Sequence, residues 1–196
     1  MSGKVVTLRW TLVTRWRAGW LWVLLLALAP AIRADGFVVE EMETRLREGT
    51  YLLDARIDYR FSDAALEALD NGVPLHLEVQ VQIRREGAWF WEGVVRDREL
   101  GFVIRFLPLS ELYLVVDRQR GTRQNFATRK AAINALGELS GVSLVAEDAL
   151  EPAERYVVRL RAVLDIGALP LPLRPLAYLS PAWQLSSVWE SWALQP

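Results

Sequence analysis

The chain of 196 residues contains no cysteine. Thiol catalysis, thiolate metal sites and iron–sulfur clusters are therefore excluded, and stability has to come from core burial rather than cross-links. Histidine is nearly absent too, with His76 alone, so a zinc site built from several histidines is not available. No G-x-S-x-G elbow, glycine-rich phosphate loop or Walker lysine motif occurs, and none of the chemistries those motifs position is expected. There is also no internal repeat, no low-complexity linker and no apolar run of the ~20 residues needed to span a bilayer. One folded domain is expected after a leader, and no cofactor.

Acid is missing from one place. Met1 to Ala34 holds Lys4, Arg9, Arg15, Arg17 and Arg33 and not one Asp or Glu. Without those five cations, the remaining 18 basic residues face 24 acidic ones and the rest of the chain carries −6. A domain that acidic lacks the basic footprint of a general nucleic-acid binder. The basic stretch runs into the apolar segment Ala18 to Ala29, and small residues then offer cleavage after Ala34, or after Ala31. This is the layout of a secretory signal peptide, placing the mature chain in the periplasm. The alternative is an uncleaved N-terminal anchor on the periplasmic face of the inner membrane, since Trp20, Trp22 and the arginines suit an interface.

Beyond Phe37 the text alternates with period two. Val38, Glu40, Met42, Thr44 and Leu46 form one phase of a first run that Gly49 ends, and Tyr51, Leu53, Ala55, Ile57, Tyr59 and Phe61 form the apolar phase of a second. Glu48-Gly49 between them suits a hairpin. Ser62 opens a two-turn helix over 64–69, stopped by Asn71-Gly72. Leu75 to Ile83 alternates again. Glu86-Gly87 turns the chain into Trp89 to Trp91, and beyond Arg96-Asp97-Arg98 the alternation of Leu100, Phe102, Ile104 and Phe106 makes a further strand, with Leu112 to Val116 another. Thr128 caps a second helix expected over Arg129 to Leu139, ended by Gly141, with a short strand Val142 to Val145 behind it. Tyr156 to Leu164 is the last clear strand. The pattern specifies an all-β, mainly antiparallel β-sandwich, immunoglobulin-like in its general plan, with two short helices over residues 35–196. Pro170, Pro172 and Pro175 suggest polyproline II in the closing segment 165–192, and Trp183, Leu185, Ser187 and Trp189 then alternate as an edge strand does, while Leu185, Val188, Trp189 and Trp192 also fit a helix opened by Ser180-Pro181. In either form the segment is expected to strap across the sandwich and close an edge.

Candidate chemistry is sparse. His76 lies on the polar side of its strand, where solvation explains it. Asp54 and Asp58 fall ~13 Å apart on one strand face, too far to share a metal. Asp97 and Glu99 are ~6.6 Å apart in an extended chain, close enough for an oxygen-ligated cation, but Arg96 and Arg98 neutralise them. Glu147, Asp148 and Glu151 make an acidic loop without calcium-loop spacing. Catalysis by two carboxylates distant in sequence, a carboxylate-dependent hydrolase, stays open as a minor alternative. Arg118, Arg120, Arg123, Arg129 and Lys130 gather in an otherwise acidic domain and form a candidate patch for a lipid headgroup or an acidic envelope protein. The plainer explanation, and the favoured one, is a charged hairpin that discourages edge pairing. Trp89, Trp91 and Tyr113 suit either a groove or core packing. Pro172-Leu-Arg-Pro175 fits PxxP, but the domains that read it are intracellular.

The residues Tyr156-Val-Val-Arg-Leu-Arg161, Leu164-Asp165, Leu169-Pro-Leu-Pro-Leu-Arg174 and Trp183-Gln-Leu-Ser-Ser187, with Trp189 and Trp192 behind a secretory leader, resemble the proteobacterial envelope proteins grouped as domain of unknown function 4390. The resemblance covers nearly all of the mature chain. It implies a Gram-negative envelope location and no activity, ligand or catalytic residue. The expectation is an exported, non-enzymatic binding or accessory module for an envelope partner, or the same module tethered to the inner membrane.

Overall fold

The computed structural model describes residues 36–88 and 93–194. Strands β1 (Gly36–Arg47) and β2 (Thr50–Arg60) form the expected hairpin. Its turn residues Glu48 (φ 51°) and Gly49 (φ 71°) are both left-handed, which matches the twist of the flanking strands. Strand β2 buries Tyr51, Leu53, Ala55, Ile57 and Tyr59, as its alternation requires. Strand β1 departs from a single alternation. It buries Phe37 and Val39, then Met42, because the register slips between Val39 and Glu41. One unpaired residue exchanges the two faces of a strand, so no fixed phase describes all of β1.

Helix α1 (Asp63–Asp70) starts at Ser62, whose hydroxyl accepts from Ala65 N at 3.3 Å, and ends before Gly72 at φ 82°. Strand β3 (Leu75–Arg85) follows. Strand β4 (Val94–Leu107) is longer than the sequence suggests. Arg96, Asp97 and Arg98, which precede the apolar alternation, already pair in register with Ile83, Gln82 and Val81, because cross-strand hydrogen bonding does not require apolar side chains on an edge-facing stretch. Strands β5 (Leu112–Asp117) and β6 (Arg123–Phe126) flank the basic tip.

Helix α2 (Arg129–Leu136) is capped by Thr128 and stops three residues earlier than expected. At Gly137 the chain meets β2: Ile57 N donates to Gly137 O at 2.9 Å, and a Cβ on Gly137 would stand 2.1 Å from Ile57 O. Only glycine permits that approach. Leu139 is buried as expected, but from strand β7 (Glu138–Ala146), and Gly141 (φ 61°) lies within that strand rather than at a helix end. Strand β8 (Tyr156–Leu164) matches expectation.

Among the described residues all strand pairings are antiparallel, in two sheets ordered β1-β2-β7 and β6-β5-β4-β3-β8, with a final strand β9 (Glu190–Ala193) beside β8. The inner faces of both sheets share one buried cluster. Burial at ~25 cal/mol per Å² makes that shared face the main stabilising term. Helix α2 inserts Ala132 and Leu136 into it.

The closing segment is a strap rather than polyproline II. A turn at 166–168 is capped by Asp165, a helix α3 (Arg174–Leu179) follows, and then a turn at 181–183. Pro175 sits in the first turn of α3, where its fixed φ and missing donor are tolerated, while Pro170 and Pro172 lie in the turn ahead of it. The edge-strand expectation is met in part: Trp183 ends the second turn, Ser186 makes a single bridge to Val163, and the regular strand is Glu190–Ala193. Leu164 N donates to Leu185 O at 2.9 Å, Ser187 N to Ala162 O at 2.8 Å and Leu194 N to Tyr156 O at 2.9 Å. The strap thus satisfies the outer edge of β8 from one end to the other. Leu169, Ala177, Trp183 and Leu185 point inward and are buried.

Candidate functional site: a hollow on the outer face of the large sheet

Strand interiors contain few glycines, and Gly101 in β4 is an exception with a local consequence. Register places it beside Glu78 of β3, and Arg118 N donates to its carbonyl at 2.9 Å. With no side chain there, the sheet face dips. The stem of Arg118 leans into the gap, its Cδ 3.3 Å from where a Cβ would be. Gln119 completes the rim. Its amide accepts from Gly101 N at 2.9 Å and donates to Glu99 O at 2.9 Å, so a side chain substitutes for a neighbouring strand. Asp117 holds the tip by accepting from Gln119 N at 2.9 Å and Arg120 N at 3.0 Å, an Asx-type turn.

The result is a hollow of about 330 Å³ walled by His76, Glu78, Glu99, Arg118, Gln119 and Asp165. Its electrostatics follow from partial burial beside mixed charges. Burial, then Arg118, lowers the His76 pKa, while Asp165 opposes that shift. Burial, then the Asp165 and Glu99 carboxylates, raises that of Glu78, with Arg118 opposing. At neutral pH the hollow offers three carboxyl groups, one guanidinium and an uncharged imidazole. This suits hydrogen-bond donors and cationic groups more than apolar ligands. The rows beside it continue the polarity. Asp97 and Glu99 of β4, Gln82 and Gln80 of β3, and Arg159 and Arg161 of β8 lie in register across the sheet.

Two further depressions have structural explanations. Between β4 and β7 lies a cleft of about 300 Å³. Arg98 donates to Ser143 O across it, and Arg120 to Ser140 O at 2.5 Å and Gly141 O at 3.2 Å. Two guanidiniums thereby occupy carbonyls on the free edge of β7. At the far end of the sandwich a cavity of about 430 Å³ is walled by Glu86, Glu147, Glu151 and Glu154. Arg85 lies 3.4 Å from Glu151 and 3.7 Å from Glu154, and Arg155 lies 3.4 Å from Glu86.

The five cations of the candidate patch do not form one surface. Arg118 lines the hollow, Arg120 turns to β7, and Arg129 pairs with Asp70, while Arg123 and Lys130 stay exposed. His76 is on the polar face as expected but half-buried, in company that local sequence does not reveal. Asp54 accepts from Gly141 N at 2.8 Å and Ser140 Oγ at 3.1 Å, and Asp58 pairs with Arg60 at 2.6 Å. Asp97 accepts from Gln82 at 3.3 Å. Among the described residues, no group of three or more His, Cys, Asp or Glu side chains is arranged to hold a metal ion. Tyr113 is packing rather than groove, its ring 4.9 Å from that of Phe106 and its hydroxyl donating to Asp70 at 2.8 Å. Trp89 and Trp91, the leader, and the cleavage positions Ala31 and Ala34 lie outside the described residues. The one sequence signal for the hollow was Gly101 itself, an unexplained glycine inside an alternating strand.

The family described as "Domain of unknown function (DUF4390)" matches residues 34–193, and the chain belongs to it. No curated protein and no solved structure matches the chain.

Proposed function

We propose that this DUF4390 member is an exported periplasmic domain that acts by binding an envelope partner rather than by catalysis, and that it does so through the hollow above Gly101 and the charged rows beside it. The observation that carries this reading is the outer face of the six-stranded sheet. Carboxylates of β4, glutamines of β3 and arginines of β8 present both charge signs in fixed register, a pattern that selects an oriented polar partner through electrostatic complementarity. A hydrolase would use Glu78 as the acid. Binding is favoured because the hollow lies on an open face where water competes with any proton transfer.

In cells, a photo-crosslinking amino acid at Gln80 is expected to give defined adducts in the periplasmic fraction. The same group at Glu41, on the other sheet, is expected to give none. Equal adducts from both positions, or a protein found in the cytoplasm, would overturn the proposal.

A second reading keeps the domain attached to the inner membrane by its apolar N-terminal run. It is favoured by one contact: Phe37 N donates to Ser186 O at 3.4 Å, so the domain begins against the strap, whose outward side is apolar. In that case the protein stays with the membrane pellet at its full length.

A further inference from the structure

The strap has two sides of different character. Its inward residues Leu169, Ala177, Trp183 and Leu185 are buried, whereas Leu171, Leu176, Tyr178 and Leu179 are 73, 68, 58 and 84% exposed. Single exposed leucines need no explanation, but four large apolar side chains on one short stretch do. From Ile166 to Trp189 this stretch contains one cation, Arg174, and no carboxylate, in a domain that otherwise carries excess acid. A surface of that kind, apolar with an aromatic hydroxyl and without negative charge, has the composition of a bilayer interface contact.

The position of the strap agrees. It sits at the end of the sandwich where the domain begins: Phe37 bonds to Ser186, and Ser62 Oγ donates to Ala182 O at 2.6 Å. In sequence, six residues (30–35) separate the apolar run Ala18–Ala29 from Gly36. The far end, ~33 Å away along β2, carries Glu86, Glu147, Asp148, Glu151 and Glu154, all exposed. Ion pairs with Arg85 and Arg155 offset only part of that charge, so an anionic membrane surface disfavours that end, whereas the strap itself carries no carboxylate.

We infer that the outward side of the strap, Leu171, Leu176, Tyr178 and Leu179, is a membrane-contact face that seats this domain on the lipid bilayer. The inference rests on the membrane-attached reading and adds to it which face touches lipid. A second copy of the chain and a protein partner are the competing occupants, and the test separates them.

The absence of cysteine makes site-specific labelling clean. Full-length Leu176→Cys, Leu179→Cys and Asp148→Cys variants, each carrying an environment-sensitive fluorophore, are reconstituted in vesicles of phosphatidylethanolamine with a minor share of phosphatidylglycerol. Nitroxide lipids quench and aqueous iodide probes exposure. Expected are flotation of all three variants and lipid quenching at 176 and 179 about threefold or more stronger than at 148. Equal, weak lipid quenching in a protein that floats overturns the contact face while leaving attachment standing. Shielding of 176 and 179 from both iodide and nitroxide assigns the face to another protein or a second copy and also overturns it. A protein that does not float fails at the attachment reading itself. Because 176 and 179 are exposed, unchanged melting of the labelled variants confirms that each result reports on a folded domain.

Discussion

His76 and Glu78 are two residues apart on one strand face, and their surroundings displace them from ordinary values in directions that both favour the neutral form. For His76, the unfolded chain takes a proton first as pH falls below the ordinary 6.5. Its contribution to stability is therefore full above that pH and lost as pH falls toward the lower folded value. For Glu78 the unfolded chain loses its proton first as pH rises past 4.5, so stability is lost as pH climbs through the raised folded value. As the only histidine, His76 gives an unambiguous NMR titration. We expect a midpoint below 6.5, moved up by Arg118→Ala and further down by Asp165→Asn. A midpoint unmoved by Arg118→Ala would show that the guanidinium does not face the ring. Glu78→Gln is expected to raise the melting temperature at neutral pH and to have no effect at about pH 4, where the carboxyl is protonated in both states.

At the junction of α2 with β2, Gly137 has no room for a side chain. Gly137→Ala places a methyl group on the Ile57 carbonyl, and overpacking of this kind costs about 1–3 kcal/mol. The measurement is chemical denaturation, and a midpoint within error of the parent would mean that the helix end shifts freely. This junction also shows what sequence periodicity conveys. The β2, β3 and β8 runs were legible because each has one buried and one wet face, and alternation encodes that directly. The end of α2 was not, because Leu139 continues the helical stripe while a backbone contact distant in sequence ends the helix at Gly137. The bulge in β1 and the charged half of β4 escaped for a related reason: pairing with a neighbour decides them, not their own side-chain pattern. The hollow is the extreme case. His76, Glu99, Arg118 and Asp165 come from separate parts of the chain, and only register brings them beside Glu78.

For the molecule as a whole, the strap decides whether the sandwich is closed. Deleting Leu169 to Pro196 removes Leu169, Ala177, Trp183 and Leu185 from the core and strips the outer edge of β8 of its partners. Loss of a single large core side chain costs about 2–5 kcal/mol, and a domain of this size has about 5–15 kcal/mol in total. The truncated chain is expected to show no cooperative melting by circular dichroism. A cooperative transition at the parent temperature would make the strap an appendage. The order of the sequence also matters for association. The residues that cover β8 lie C-terminal to every strand they seal, so any state in which they are undocked bares a long antiparallel edge. Bare edges of that kind template pairing with other chains, and docking of the strap is what denies this sheet a foreign partner strand.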